Sequence, residues 1–378
     1  MLQLSASCRP WVVLLGLGTA LGLAAPAARA QTYTPKYSNE FLNLGAGARS
    51  LGMGKTQVSL ANDATAGYWN PAALTTITTK YDGVLMHSEL FSGVVKNDYA
   101  AFAMPLDDKS AVGITLLRLG VDNIADTRSL INEYGYIDYS KISYFSVADY
   151  ALLLSYARKL GPEGLSVGAT GKLIYRNVGS YANAYGFGVD VGLQYNRGGL
   201  RLGVSARDIT TTFNAWSIQA DKFANTTFPG ERIPSSTTEI TLPHFILGAG
   251  YQVTLPAQFT ALVAVDAEAT TDGQRNALIS AKPVSVDPRV GIELGYRNLV
   301  FLRGGAGNYQ RISTFAYDLE WKGQYSLGAG VAFSGLRVDL ALSRLAVEKL
   351  GAASQTNSLI VSLGYGLGSR QGGLPTTN

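Results

Sequence analysis

Two histidines, one cysteine and a few glycine-rich steps are the residues whose types could carry chemistry in this 378-residue chain. His87 stands beside Ser88 and Glu89, which are a base, a nucleophile and an acid by type. Neighbouring residues of a strand point to opposite faces, so these three do not converge on one reacting atom. His244 has no such company, and both histidines fall near the outer ends of candidate strands, where they read as structural. No run of His, Cys, Asp and Glu has metal-ligand spacing. Gly54-Lys55-Thr56 ends like a phosphate-binding loop, but the first glycine of that loop would fall at Arg49. Gly45-Ala46-Gly47 opens like a dinucleotide fingerprint, but Ser50 takes the last small-residue place and no strand-to-helix context surrounds it. The chain is therefore expected to be non-enzymatic and to need no cofactor.

Residues 1–30 read as a secretory signal. Arg9 is the positive charge, Trp11 to Ala25 is an uncharged apolar run, and Ala28-Arg29-Ala30 fits a small-x-small cleavage site. Cleavage near Ala30 removes Cys8, the single cysteine, so the mature chain is expected to hold no disulfide and no thiolate site. It also removes Arg9 and Arg29, taking the formal charge from +4 to +2, which is no nucleic-acid footprint. Charged residues make up 15% of the chain, against about 25% in ordinary soluble domains. Glycine (43) and tyrosine (21) are abundant. A secreted, glycine- and tyrosine-rich, sparsely charged chain has the composition of a membrane β-barrel.

The elements that must position these residues show a period of two. From Tyr185 to Tyr195, aromatic and aliphatic residues alternate with glycine, acid and amide. The two tyrosines lie ten residues apart on the apolar face. At ~3.3 Å per residue and a tilt of ~40° they stand roughly 25 Å apart along a barrel axis, the height of an outer-membrane apolar band. The same pattern predicts fourteen strands, at about 82–91, 97–105, 109–120, 145–158, 164–177, 183–196, 199–208, 242–254, 258–268, 288–297, 298–306, 322–333, 335–344 and 355–366. Every second connection is tight, and most of the others are long, as in bacterial outer-membrane barrels with short periplasmic turns and an even strand number. The polar face, with Lys172, Asp190, Arg201, Arg207, Asp266, Glu268, Arg289, Glu293, Arg337 and Asp339 among its residues, is expected to line the lumen as mutually paired charges.

Residues 31–80 do not alternate. Gly45, Gly47, Gly52 and Gly54 allow tight turns and close backbone approach. Asn62 or Asp63 can cap a short helix, and Asn70-Pro71 reads as a turn opening another. Fourteen strands enclose more space than their own side chains fill simply, so this segment is expected to fold into the lumen as a plug. The expected organisation is signal peptide 1–30, plug 31–80, transmembrane barrel 81–367 and periplasmic tail 368–378.

The stretch Phe41 to Gly54 (FLNLGAGARSLGMG), followed by Val58 to Leu74 (VSLANDATAGYWNPAAL), resembles the N-terminal signature of the PorV/PorQ family, part of the wider FadL-like group of fourteen-stranded outer-membrane barrels. Asn70-Pro71-Ala72 is similar to the end of the FadL hatch, and Arg289–Gly307, Tyr325–Val331 and Leu336–Leu345 resemble the last strands of the family. Lys55-Thr56 stands where small residues, often Gly-Ala, are more usual. The resemblance implies an all-β, fourteen-stranded antiparallel transmembrane barrel in the outer membrane, with Gly45, Gly47, Arg49, Gly52, Gly54, Asn62, Asp63, Trp69, Asn70 and Pro71 in the plug motif. It implies a role in type IX secretion in Bacteroidetes-type bacteria. The protein would bind or shuttle cargo sorting domains beside a large outer-membrane translocon. FadL-like proteins instead take up hydrophobic small molecules, and the fold alone does not separate the two. Two long outer loops, 121–144 and 209–241, carry candidate partner contacts: Tyr134, Tyr136, Tyr139 and Phe145 in the first, Phe213, Trp216, Phe223 and Phe228 in the second.

Overall fold

A computed structural model describes residues 38–369, apart from 133, 162–163, 224–232, 314–318 and 350–351. The expected signal peptide, and all but the first two residues of the expected tail, lie outside the described residues.

The sheet is built from β1 (Thr79–Leu90), β2 (Val95–Pro105), β3 (Ser110–Asp126), β4 (Ser143–Lys159), β5 (Leu165–Val178), β6 (Ala182–Arg197), β7 (Leu200–Arg207) and β8 (Thr212–Ile218). It continues through β9 (Ser236–Thr241), β10 (His244–Leu255), β11 (Phe259–Thr270), β12 (Ser285–Tyr296), β13 (Val300–Ser313), β14 (Leu319–Phe333), β15 (Leu336–Lys349) and β16 (Ala352–Ser369). All pairings between these strands are antiparallel. β1 pairs with β16 over Thr79–Glu89, which closes the sheet and leaves no free edge there.

Sixteen segments make a ring of fourteen because two places are shared. β7 pairs with Val191–Arg197 of β6, and β8 pairs with Ala182–Phe187 of the same strand. β7 and β8 are thus one long strand interrupted at Asp208–Thr211, and β9 and β10 are its partner, interrupted at Leu242-Pro243. The first interruption takes positive φ at Asp208 (54°) and Thr211 (60°). Proline at the second has no N–H for the ladder. The architecture is an all-β, fourteen-stranded antiparallel barrel.

The alternation sorts side chains as the sequence predicts. Leu247, Val263, Ile292, Leu302, Leu327, Leu342 and Leu363 face outward and are exposed. A closed barrel with an apolar outer belt spans a membrane. Asp190, Lys172, Asp266, Glu268, Glu293 and Arg303 of the opposite face are buried. The tight turns lie where the sequence puts them, and the strands run further at the other end. β3 reaches Asp126, and β8 and β9 lie within 209–241, so the loops expected at 121–144 and 209–241 are partly strand; β13 reaches Ser313 and β15 reaches Lys349, past their expected ends at 306 and 344. Beyond the lipid the outward face no longer has to be apolar, so the period-two signal fades while backbone pairing continues.

Candidate functional site

Residues 38–77 touch the inner face of the barrel around most of its circumference. Ala48 N donates to Ser362 Oγ of β16 at 3.0 Å, and Gly54 N to Ser326 Oγ of β14 at 3.0 Å. Gln57 N and Val58 N donate to Asp266 Oδ2 of β11 at 2.9 and 3.1 Å, and Ala64 N to Asp82 Oδ1 of β1 at 2.8 Å. Asn70 Nδ2 reaches Leu193 O of β6 at 3.0 Å. A chain that meets these strands through their inward residues lies inside the barrel.

Two short helices, α1 (Ala48–Gly52) and α2 (Ala66–Trp69), and two 3-10 turns (Glu40–Asn43 and Pro71–Thr76) organise the segment. Asn70 opens the second turn, its side chain accepting from Ala72 N at 3.2 Å with Pro71 following. Its amide also bonds Val58 O at 3.0 Å, so one side chain joins two parts of the segment to the wall. Asp63 caps Thr65 N at 2.9 Å, close to the start of α2. Trp69 Nε1 donates to Ala46 O at 2.9 Å, and the Tyr68 hydroxyl accepts from Gly45 N at 3.0 Å while donating to Leu42 O. These bonds fold the glycine-rich stretch over the aromatic pair. Gly47 N points at Met86 Sδ, 3.0 Å away.

Small residues are needed where backbone meets backbone. A Cβ on Gly305 would lie 2.1 Å from Gly54 N, and one on Gly52 would lie 3.0 Å from the Gly328 Cα. Gly54 itself has φ +66°. Lys55 follows with φ 68°, the region glycine enters without strain. Its Nζ donates to Asn43 O at 3.1 Å.

The charges of the segment are matched by charges of the wall. Arg49 makes a two-pronged pair with Glu293, Nε to Oε2 at 2.8 Å and Nη2 to Oε1 at 2.9 Å, and its Nη1 donates to Asn62 Oδ1 at 3.0 Å. Arg303 continues the network to Glu293 and Asp339, both at 2.6 Å. Arg337 holds Asp82 at 2.9 Å. On the far side Lys172 joins Asp190 (2.7 Å) and Asp208 (2.5 Å), and His244 sits between Asp208 and Glu268 at 3.7 and 3.6 Å. The break between β7 and β8 turns Asp208 into this cluster. Arg207 donates to Tyr68 O at 3.0 Å and covers the Tyr68 ring at 4.8 Å.

The lumen is divided. The wall from β1 to β5 presents Val84, Met86, Tyr99, Leu117, Ala151, Leu153 and Ile174 inward, packed in one apolar cluster with Phe41, Leu42, Tyr68, Trp69 and Leu74 of the segment. The remaining wall carries most of the charges. Polar cavities lie between the segment and the wall. One of about 330 Å³ lies toward the outer end, between Lys55, Arg275 and Arg289, and one of about 230 Å³ lies toward the short turns, between Arg49, Arg201 and Arg303.

Among the described residues neither histidine is hydrogen-bonded to a serine or threonine hydroxyl. His87 faces outward and pairs with Asp98 at 2.7 Å, while Ser88 is buried on the opposite face. Of the outer aromatic residues, Tyr134, Tyr136 and Tyr139 are 71–77% exposed. Phe145 packs edge-on against Tyr181 with centroids 5.1 Å apart, and Phe223 against the same ring at 5.6 Å. Trp216 is on β8, donates to Glu239 at 3.1 Å and is covered by Arg176 at 5.1 Å. Phe213, also on β8, is exposed opposite Phe187. Phe228 lies outside the described residues. Sequence reading singled out Arg49 and Glu293 separately but not their union, and it missed Asp82 as an anchor.

Solved structures share the fold of this barrel. The Pseudomonas putida toluene transporter TodX aligns with a TM-score of 0.56 over 85% of this chain and 97% of its own, at 17% identity. The fold is that of the FadL-like outer-membrane barrels. The Ralstonia pickettii toluene transporter TbuX (TM-score 0.52, 14% identity) and a Pseudomonas aeruginosa FadL homologue (0.51, 13%) each align over 85% of this chain and 98% of theirs. TodX and TbuX are toluene transporters. No protein-family model and no curated protein sequence matches the chain.

Proposed function

We propose that this barrel admits hydrophobic small molecules across the outer membrane, with the internal segment as the gate. The observation that carries the reading is the apolar half of the lumen. Met86, Tyr99, Leu117 and Ile174 of the inner wall meet Trp69 and Phe41 of the segment across an apolar seam, where an ion path would be lined by charges or carbonyls. An apolar molecule passing along β1–β5 would meet that surface once the segment shifts. The toluene transporters that share the fold support the same substrate class. The test is uptake of radiolabelled toluene and of a long-chain fatty acid by cells lacking their own FadL-like proteins. Uptake above the empty-vector level, lost when residues 38–77 are cross-linked to the wall, is expected. Background uptake of both compounds defeats the reading.

A second reading has its own observation. The connection between β3 and β4 exposes Tyr134, Tyr136 and Tyr139, and aromatic side chains held in solvent suit a protein interface. They support the role that the PorV/PorQ resemblance implies, with secreted cargo and a large translocon as partners. A mild-detergent pull-down from native membranes separates the two. Co-purified sorting-domain proteins favour secretion, and a stoichiometric apolar ligand without protein partners favours uptake.

A further inference from the structure

The cavity of about 230 Å³ at the short-turn end is lined by side chains from both the wall and the internal segment. Three of its arginines are committed. Arg49 is paired with Glu293, Arg303 with Glu293 and Asp339, and Arg337 with Asp82. The fourth, Arg201 of β7, is not. Its Nη2 donates to Gln252 Oε1 at 2.7 Å; among the described residues no carboxylate lies within ion-pair distance of it, Glu293 of the same cavity acting on it only from further off and against the repulsion of Arg49. A guanidinium carries five N–H donors and is never neutral in proteins, so most of its capacity is left facing the cavity. Half-buried arginine without a counter-ion is costly, and an anion in the cavity removes that cost.

We infer that this cavity is a binding site for a small carboxylate at the periplasmic mouth of the barrel, with Arg201 as its charge partner. The volume equals that of about eight waters at ~30 Å³ each, enough for a carboxylate on a small body but not for a long chain. The lining favours a carboxylate with an apolar part. Its four arginines outnumber its three carboxylates, Asp63, Glu293 and Asp339, so the lining keeps a net positive charge, with Phe301 as an apolar part and Asn62 and Gln252 as neutral polar groups. A planar carboxylate also matches the guanidinium fork, which a point anion does not. Arg49, on the internal segment, stands in the same cavity, so the bound anion would touch both the wall and the segment.

The inference does not depend on the passage of hydrophobic molecules, and its test is an equilibrium measurement. The full chain is purified in detergent and titrated with 4-fluorobenzoate, followed by fluorine NMR, with 4-fluorotoluene as the neutral probe and inorganic phosphate as competitor. Saturable binding of 4-fluorobenzoate is expected, weakened at least tenfold by Arg201→Gln and partly retained by Arg201→Lys. Binding of 4-fluorotoluene should be the same in all three proteins. Heat-modifiable gel mobility checks that each variant is folded. Equal 4-fluorobenzoate affinity in folded Arg201→Gln, or no saturable binding to the unaltered protein, overturns the inference. Displacement by phosphate at lower concentration than by unlabelled benzoate overturns the carboxylate assignment. Failed uptake with anion binding intact counts against the channel alone, and failed anion binding with uptake intact counts against this site alone.

Discussion

Arg49 and Glu293 are 244 positions apart in sequence and meet through two hydrogen bonds of 2.8 and 2.9 Å. The pair ties α1 of the internal segment to β12. Glu293 also accepts from Arg303 at 2.6 Å, so the carboxylate serves the wall and the segment together. Arg49→Gln keeps the Asn62 contact within reach but removes the charge, and should loosen the segment by about 2–3 kcal/mol, the lower part of the range for breaking a half-buried pair. Planar-bilayer recordings should then show openings that the unaltered protein lacks. Unchanged conductance would mean the pair does not hold the gate.

Asp266 holds the middle of the segment through the amides of Gln57 and Val58. Asp266→Ala leaves both N–H groups without their acceptor, at about 1–3 kcal/mol each when buried. Hydrogen exchange at Gln57 and Val58 should accelerate at least tenfold, while the amides of β11 keep their protection. Asp266→Asn, which retains one acceptor, should fall between.

At Gly305 the wall lies directly against the backbone of the segment. A side chain there would overlap Gly54 N and Met53 C, each 2.1 Å from the added Cβ. The atoms met are backbone, so the segment rather than the barrel has to move. Gly305→Val should leave the barrel folded, as read by heat-modifiable mobility, and expose the 49–55 stretch to trypsin. Resistance equal to the parent protein would place the segment elsewhere.

Lys55 gives the segment a pH dependence. Burial first, then the neighbouring Arg289, lowers its pKa from 10.5 to about 8. An undocked segment keeps that proton up to about pH 10.5, and the docked one releases it near 8, so the undocked state binds more protons in between. Docking should therefore tighten as pH rises from 8 toward 10.5, and openings of an Arg49→Gln channel should become rarer over that window. Lys55→Met, which carries no proton, should flatten this part of the profile. Openings that grow more frequent with pH would reverse the assignment.

The alternation of residues such as Tyr185, Phe187, Val189 with Gly186, Gly188, Asp190 was enough to determine the barrel, its fourteen places and which face meets lipid. Each of those follows from a local rule, a period of two with turn residues between, that the membrane enforces on every strand. The lumen position of Asp266, Glu293 and Asp339 was legible for the same reason. The strand extensions at β8 and β9 were not, because outside the lipid the outward face is free of the apolar requirement that makes a strand visible. Trp216 and Phe223 read as surface aromatics, yet Arg176 and Tyr181 cover them, and no local pattern brings those partners near. The union of Arg49 with Glu293, the turn of Asp208 toward Lys172, and the isolation of Arg201 were decided by the closed barrel alone. Ion pairing depends on distance in space, and only β1 joining β16 around a folded segment sets those distances.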